Sequence, residues 1–242
     1  MFRASLRRGL TAGAVGGLLF GLFTALVANP LVGYTESLAH AHEHAPGQGH
    51  VMPETVTAAA SVAGGVVWGV LLGGVVFGVL YYLTEPALPG AGSTKRYVLA
   101  AAGFLTVSGG PWLLLPPQPA GVAHTTPVGT RIGWYLAAAA TAAVACTLAV
   151  VVFRRLAQTG VAVRFAALAG LLPFGLLAIL LVLGPSGTAV GDVPGTVVLA
   201  YRGVVVAGQA GLWVVLAAVH GRLSHRRKQR LAVGPNETLP TD

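Results

Sequence analysis

Residues 9–31 read GLTAGAVGGLLFGLFTALVANPL, an uncharged apolar run in which Gly9, Gly13, Gly17 and Gly21 recur at every fourth position. As an α-helix rising about 1.5 Å per residue, the run is long enough to cross a hydrocarbon core about 30 Å thick. A spacing of four places the glycines on one face, leaving a groove through which another helix can approach backbone to backbone. The run therefore predicts a membrane span whose glycine face packs on protein. Arg3, Arg7 and Arg8 precede it, as in a signal peptide. The apolar core of such a peptide is only about 7–15 residues long, so we read a retained span.

Working outward, five more apolar runs follow, at about 55–83, 97–115, 132–153, 165–183 and 195–219. The second repeats the glycine device, with Gly65, Gly69 and Gly73 on one face and Gly74 and Gly78 on another, so the first two spans are expected to touch. In the third, Gly109, Gly110 and Pro111 precede Pro116-Pro117-Gln118-Pro119, and a frayed end is expected there, with a broken helix that frames a pathway as the alternative. Pro173 should kink the fifth. The whole chain is 55% hydrophobic and 9% charged, against about 25% charged in soluble domains. Its mean hydropathy is +0.75. The fold class is an all-α integral membrane protein with six transmembrane helices in one polytopic domain, residues 1–220.

The net charge of +8 comes from short clusters at the ends of the runs rather than from a nucleic-acid-binding surface. Arg3, Arg7 and Arg8, then Lys95 and Arg96, then Arg154, Arg155 and Arg164, and finally Arg222, Arg226, Arg227, Lys228 and Arg230 all fall on one side of a six-span topology. The other side has Arg131 alone. By the positive-inside rule both termini are cytoplasmic. The basic segment 221–242, ending in PNETLPTD, has the composition of a disordered tail.

The loop between the first two spans, Tyr34 to Glu54, then faces outward. It reads YTESLAHAHEHAPGQGHVMPE and holds His40, His42, His44 and His50 beside Glu36, Glu43 and Glu54. Imidazole suits cobalt, nickel, zinc and copper, and a nearby carboxylate adds charge and an oxygen donor. In a helix Glu36, His40 and His44 share one stripe; in a strand His40, His42 and His44 share one side. Either conformation gathers three donors. We take His40, His42, His44, His50, Glu36 and Glu43 as candidate metal ligands. His124 and Asp192 fall on the same outer side. Unperturbed imidazole protonates near pH 6.5, so capture by such ligands weakens on acidification.

Few polar groups lie within the spans. Arg202, about two turns into the sixth, is a candidate for the pathway or for snorkelling to the outer interface, with Asp192 its nearest partner in sequence. Gln209 lies two turns deeper and can bond across helices or line a path. Asn29 and Thr24 are read as interhelical glue. Cys146 alone permits no internal disulfide, and neither a phosphate-binding glycine loop nor a nucleophile triad occurs in the sequence, so an enzyme is not expected. No prosthetic group is called for.

The opening MFRASLRRGLTAGAVGGLLFG, the HAHEH loop directly after the first span, and LPPQPAG at 115–121 together resemble the CbtA family of probable cobalt transporter subunits. The resemblance runs over most of the chain. It implies a multi-pass protein of the cell membrane that takes part in cobalt uptake for cobalamin synthesis, often beside a small His-containing membrane partner, CbtB. It also implies five spans where the hydropathy gives six. The leading expectation is a membrane subunit of a Co2+ uptake transporter, with Ni2+ or Zn2+ as other candidate ions, whose outer loop passes the ion to a path between glycine-packed helices. A metal-binding scaffold or sensor that hands its ion to a partner is the alternative. The glycine faces serve packing within one chain or between copies equally well.

Overall fold

The computed structural model describes residues 2–41, 53–119, 122–124, 126–184, 189–190 and 193–232. Six helices are long and apolar enough to span a membrane: Phe2–Leu38, Glu54–Thr84, Ser93–Leu114, Val128–Gln158, Val163–Leu183 and Gly195–His225. The sixth winds on without a break to Ala232. Helix thus replaces the disordered tail expected from residue 221, because the stripe Leu212, Trp213, Leu216 and Ala217 continues into His220, Gly221 and Ser224, all buried. Residues 233–242 of that tail lie outside the described residues.

Proline sets several boundaries. The second, fourth and sixth helices start directly after Pro53, Pro127 and Pro194, whose carbonyls accept the first backbone bonds, from Val56, Arg131 and Val197 among others. Proline has a helix-compatible φ and no N–H, so it is tolerated where a helix begins. Inside helices it has a different effect. Pro30 and Pro111 each lie two residues beyond a stretch of π-helical winding, Thr24–Ala28 and Leu105–Gly109. A proline ring clashes with the carbonyl four residues back and cannot bond it, and the wider winding relieves that clash. In the third helix the orphaned carbonyl is that of Val107, which accepts a bond from the Tyr135 hydroxyl at 2.7 Å. The end of this helix is therefore wound to Leu114, with Gly110, Pro111 and Leu114 buried, rather than frayed. Pro173 breaks the fifth helix into Val163–Ala169 and Gly175–Leu183 around a 3-10 turn, as expected.

The first and second helices meet along the glycine faces. A Cβ built on Gly13 would run into the carbonyl oxygen of Gly69, and one on Gly17 into that of Gly65. Any side chain at these positions would collide with backbone. Gly9 and Gly21 meet Gly73 and Val62 in the same way, so the helices run antiparallel in backbone contact. Asn29 and Ser61 bond across this seam at 2.9 Å, whereas Thr24 bonds back to Phe20 of its own helix.

The sixth and third helices complete the core around Phe77, Leu99, Trp213 and Leu216. Gly103 leaves the space that the Trp213 ring fills. The fourth helix flanks this group through Ala138, Ala142 and Ala145, all fully buried. Large apolar side chains such as Val182 and Leu172 remain exposed, as lipid-facing residues of a spanning helix do. The described segments between helices also hold a short antiparallel pair, Ala123–His124 with Ala189–Val190.

Candidate metal-capture site

The ends of the first, third and fifth helices and the starts of the second, fourth and sixth lie together at one end of the bundle. The first helix stays helical through Ala41, so the Tyr34 to Glu54 stretch opens as helix rather than loop. Glu36 is exposed on it, and His40 follows one turn later on the same face. Antiparallel packing brings Glu54, the exposed first residue of the second helix, to the same end. His42, Glu43, His44 and His50 lie outside the described residues, as does the side chain of His40. Among the described residues there is no group of three or more metal-binding side chains.

At this end the short strand pair ties the segment after the third helix to the segment before the sixth, with His124 in register with Ala189. Asp192 lies outside the described residues. Arg202 is half-buried and turns to other partners. Its Nε donates to the carbonyl of Pro117 at 3.2 Å and its Nη2 to Oε1 of Gln118 at 3.1 Å. Proline-rich backbone after Leu114 cannot wind its carbonyls into a helix, and the guanidinium satisfies one of them. The LPPQ turn also borders an open cavity of about 320 Å³ shared with Arg131, Ile132 and Tyr135. Gln209 lies deeper, with Oε1 buried and without a hydrogen-bond partner.

The model of the family described as "Probable cobalt transporter subunit (CbtA)" matches residues 2–225. The chain belongs to that family. It is a multi-pass membrane protein and a cobalt transporter subunit, which accords with a non-enzymatic role. Six helices of this member are long and apolar enough to span, the first and the one covering the region before Val219 among them, where the resemblance implies five. No curated protein and no solved structure matches the chain.

One group at the opposite, basic end escaped sequence reasoning. His220, read as the start of the tail, is 1% exposed and packs tilted against Phe77 and edge-on against Tyr81, at 5.4 and 5.1 Å between ring centroids. Arg96, read as a topology signal, is buried too. A usable signal was present: His220 lies four residues after Leu216 and seven after Trp213, on the helix face that is buried throughout.

Proposed function

We propose that in this cobalt transporter subunit the His/Glu segment between the first two helices is the extracytoplasmic capture site. Neutral imidazoles of His40, His42, His44 and His50, helped by Glu36 and Glu43, take up Co2+ there, or Ni2+ or Zn2+ when those are the ions supplied. The observation that carries the reading is the helix running on through Ala41, which sets Glu36 and His40 one turn apart at the end of the bundle where the second helix begins at Glu54. The clustering of Lys and Arg at the other end supports an outward orientation for this segment. Raw affinity does not select cobalt, because a histidine site binds nickel and copper more tightly in the divalent series. Selection rests on coordination geometry and on the metal supplied.

The packing of the first two helices argues against an onward route between them. Their glycine seam is closed at backbone contact and holds no room for an ion. That observation favours a second reading, in which the chain concentrates the metal and passes it to a small His-containing membrane partner of the CbtB kind. Elemental mass spectrometry of cells grown in trace cobalt, nickel and zinc tests the capture site. Wild type should raise cobalt, and the triple variant H40A/H42A/H44A should not. Equal cobalt in both would remove the histidines from the proposal. Flux into vesicles holding this chain alone then separates transporter from scaffold, since a scaffold binds Co2+ without moving it. Binding should also fall as pH drops through about 6.5, where free imidazole protonates and no longer donates its lone pair.

A further inference from the structure

At the basic end, one turn of the sixth helix, His220 to Ser224, is ringed by cationic side chains. The Ser224 hydroxyl donates to the His220 carbonyl at 2.8 Å and accepts from Nη1 of Arg8 at 3.0 Å. Arg96 reaches the same turn from the third helix: a Cβ on Gly221 would lie 3.4 Å from its Nη1. Its guanidinium also sits 5.8 Å from the Tyr81 ring, which meets His220 edge-on. Arg96 is 7% exposed and His220 1% exposed. Nε and Nη1 of Arg96 and both ring nitrogens of His220 are buried and without hydrogen-bond partners.

A guanidinium is charged at every physiological pH, and a buried charge without hydrogen bonds is strongly destabilising. The nearest helix terminus adds to the imbalance. Arg96 lies in the first turn of the helix that starts at Ser93, where free N–H groups carry partial positive charge and favour an anion. That helix has no side-chain cap. Glu85 accepts from the hydroxyl of the same Tyr81 at 3.3 Å and leaves Nε and Nη1 of Arg96 without a partner. A divalent cation is repelled by these surroundings; an anion with several acceptor oxygens is what they lack.

We propose that the His220–Arg96 cluster is a phosphate-binding site, in which phosphoryl oxygens accept from the Arg96 fork and from the His220 ring. Arg matches phosphate in a two-point fork, and basic pockets between membrane helices suit anionic lipid headgroups. The phosphate belongs either to such a headgroup or to a soluble ion from the water beside it. The site is independent of the metal-capture reading, and its test uses no metal transport.

The test is performed on the purified full-length chain in a neutral detergent, delipidated and titrated separately with phosphatidylglycerol, phosphatidylcholine and inorganic phosphate. Native mass spectrometry counts bound molecules, and thermal unfolding reports stabilisation. Binding of phosphatidylglycerol but neither of the others supports the site and identifies a lipid headgroup. Binding of inorganic phosphate as well supports it with a soluble source. R96Q and H220Q should each weaken that binding by about tenfold or more, the loss expected for a charge-assisted hydrogen bond, whereas R154Q, at an exposed arginine of the same end, should not. Absence of binding to wild type overturns the proposal without any variant. Unchanged binding in R96Q and H220Q overturns it too, as does Co2+ binding to wild type that H220Q abolishes.

Discussion

Arg202 and Arg96 are both arginines placed within membrane spans at opposite ends of the bundle, and they meet opposite halves of the third helix. Arg202 reaches the end where that helix stops, and finds a free carbonyl and an amide oxygen in the Pro117–Gln118 turn. Arg96 lies in its first turn, where the unsatisfied backbone groups are donors, and two of its nitrogens stay without acceptors. One cation is complemented by the chain and the other waits for an anion. The same residue type is thus satisfied or unsatisfied according to helix polarity, which residue spacing alone does not reveal.

The largest effect that sharpens this contrast belongs to His220. H220A empties a fully buried site between Phe77 and Tyr81 and should cost about 3 kcal/mol by the usual cost of core truncation. Thermal unfolding in detergent would show it, while H40A/H42A/H44A without metal leaves the midpoint unchanged. Equal shifts in the two variants would erase the distinction between a histidine packed in the core and histidines of the outer segment. Next, R202M should destabilise by about 2 kcal/mol through the loss of two charge-assisted bonds, scaled down for half-exposure.

R96M carries the opposite sign. In the absence of anions it should gain about 1 kcal/mol, because it removes an uncompensated buried charge at some loss of stacking on Tyr81. Destabilisation by R96M under those conditions would mean that the arginine is satisfied within the chain and would break the comparison. The smallest effect is expected from Y135F, about 1 kcal/mol, for leaving the Val107 carbonyl without its donor. A double variant Y135F/P111A should recover most of that loss, since alanine restores the helical N–H to the same carbonyl.

The six spans, the glycine seam and the break at Pro173 were legible because each depends on a local rule: length, spacing by four, and a missing N–H. Asn29 was legible as interhelical glue for the same reason, being polar in an apolar stretch. Arg202 was recognised as out of place, but its partners lie 84 and 85 positions away in sequence, and Asp192 was only the nearer choice along the chain. Arg96 and His220 were hidden because charges at span ends read as topology, and their burial depends on how four helices close around them. Within the His/Glu stretch, the sequence left helix and strand open, and the helix through Ala41 decides for the helical phase of Glu36 and His40.

The glycine seam also bears on how the molecule is made. Its two partners are neighbours along the chain, so a closed helical hairpin can form as soon as the second helix leaves the ribosome and enters the bilayer. The sixth helix later docks on the first, and the third packs on the sixth and fourth rather than on the hairpin. Trp213 and His220 arrive last in synthesis and seal the core from its basic end, so a ribosome stalled before residue 213 should leave a stable pair of helices and an open bundle.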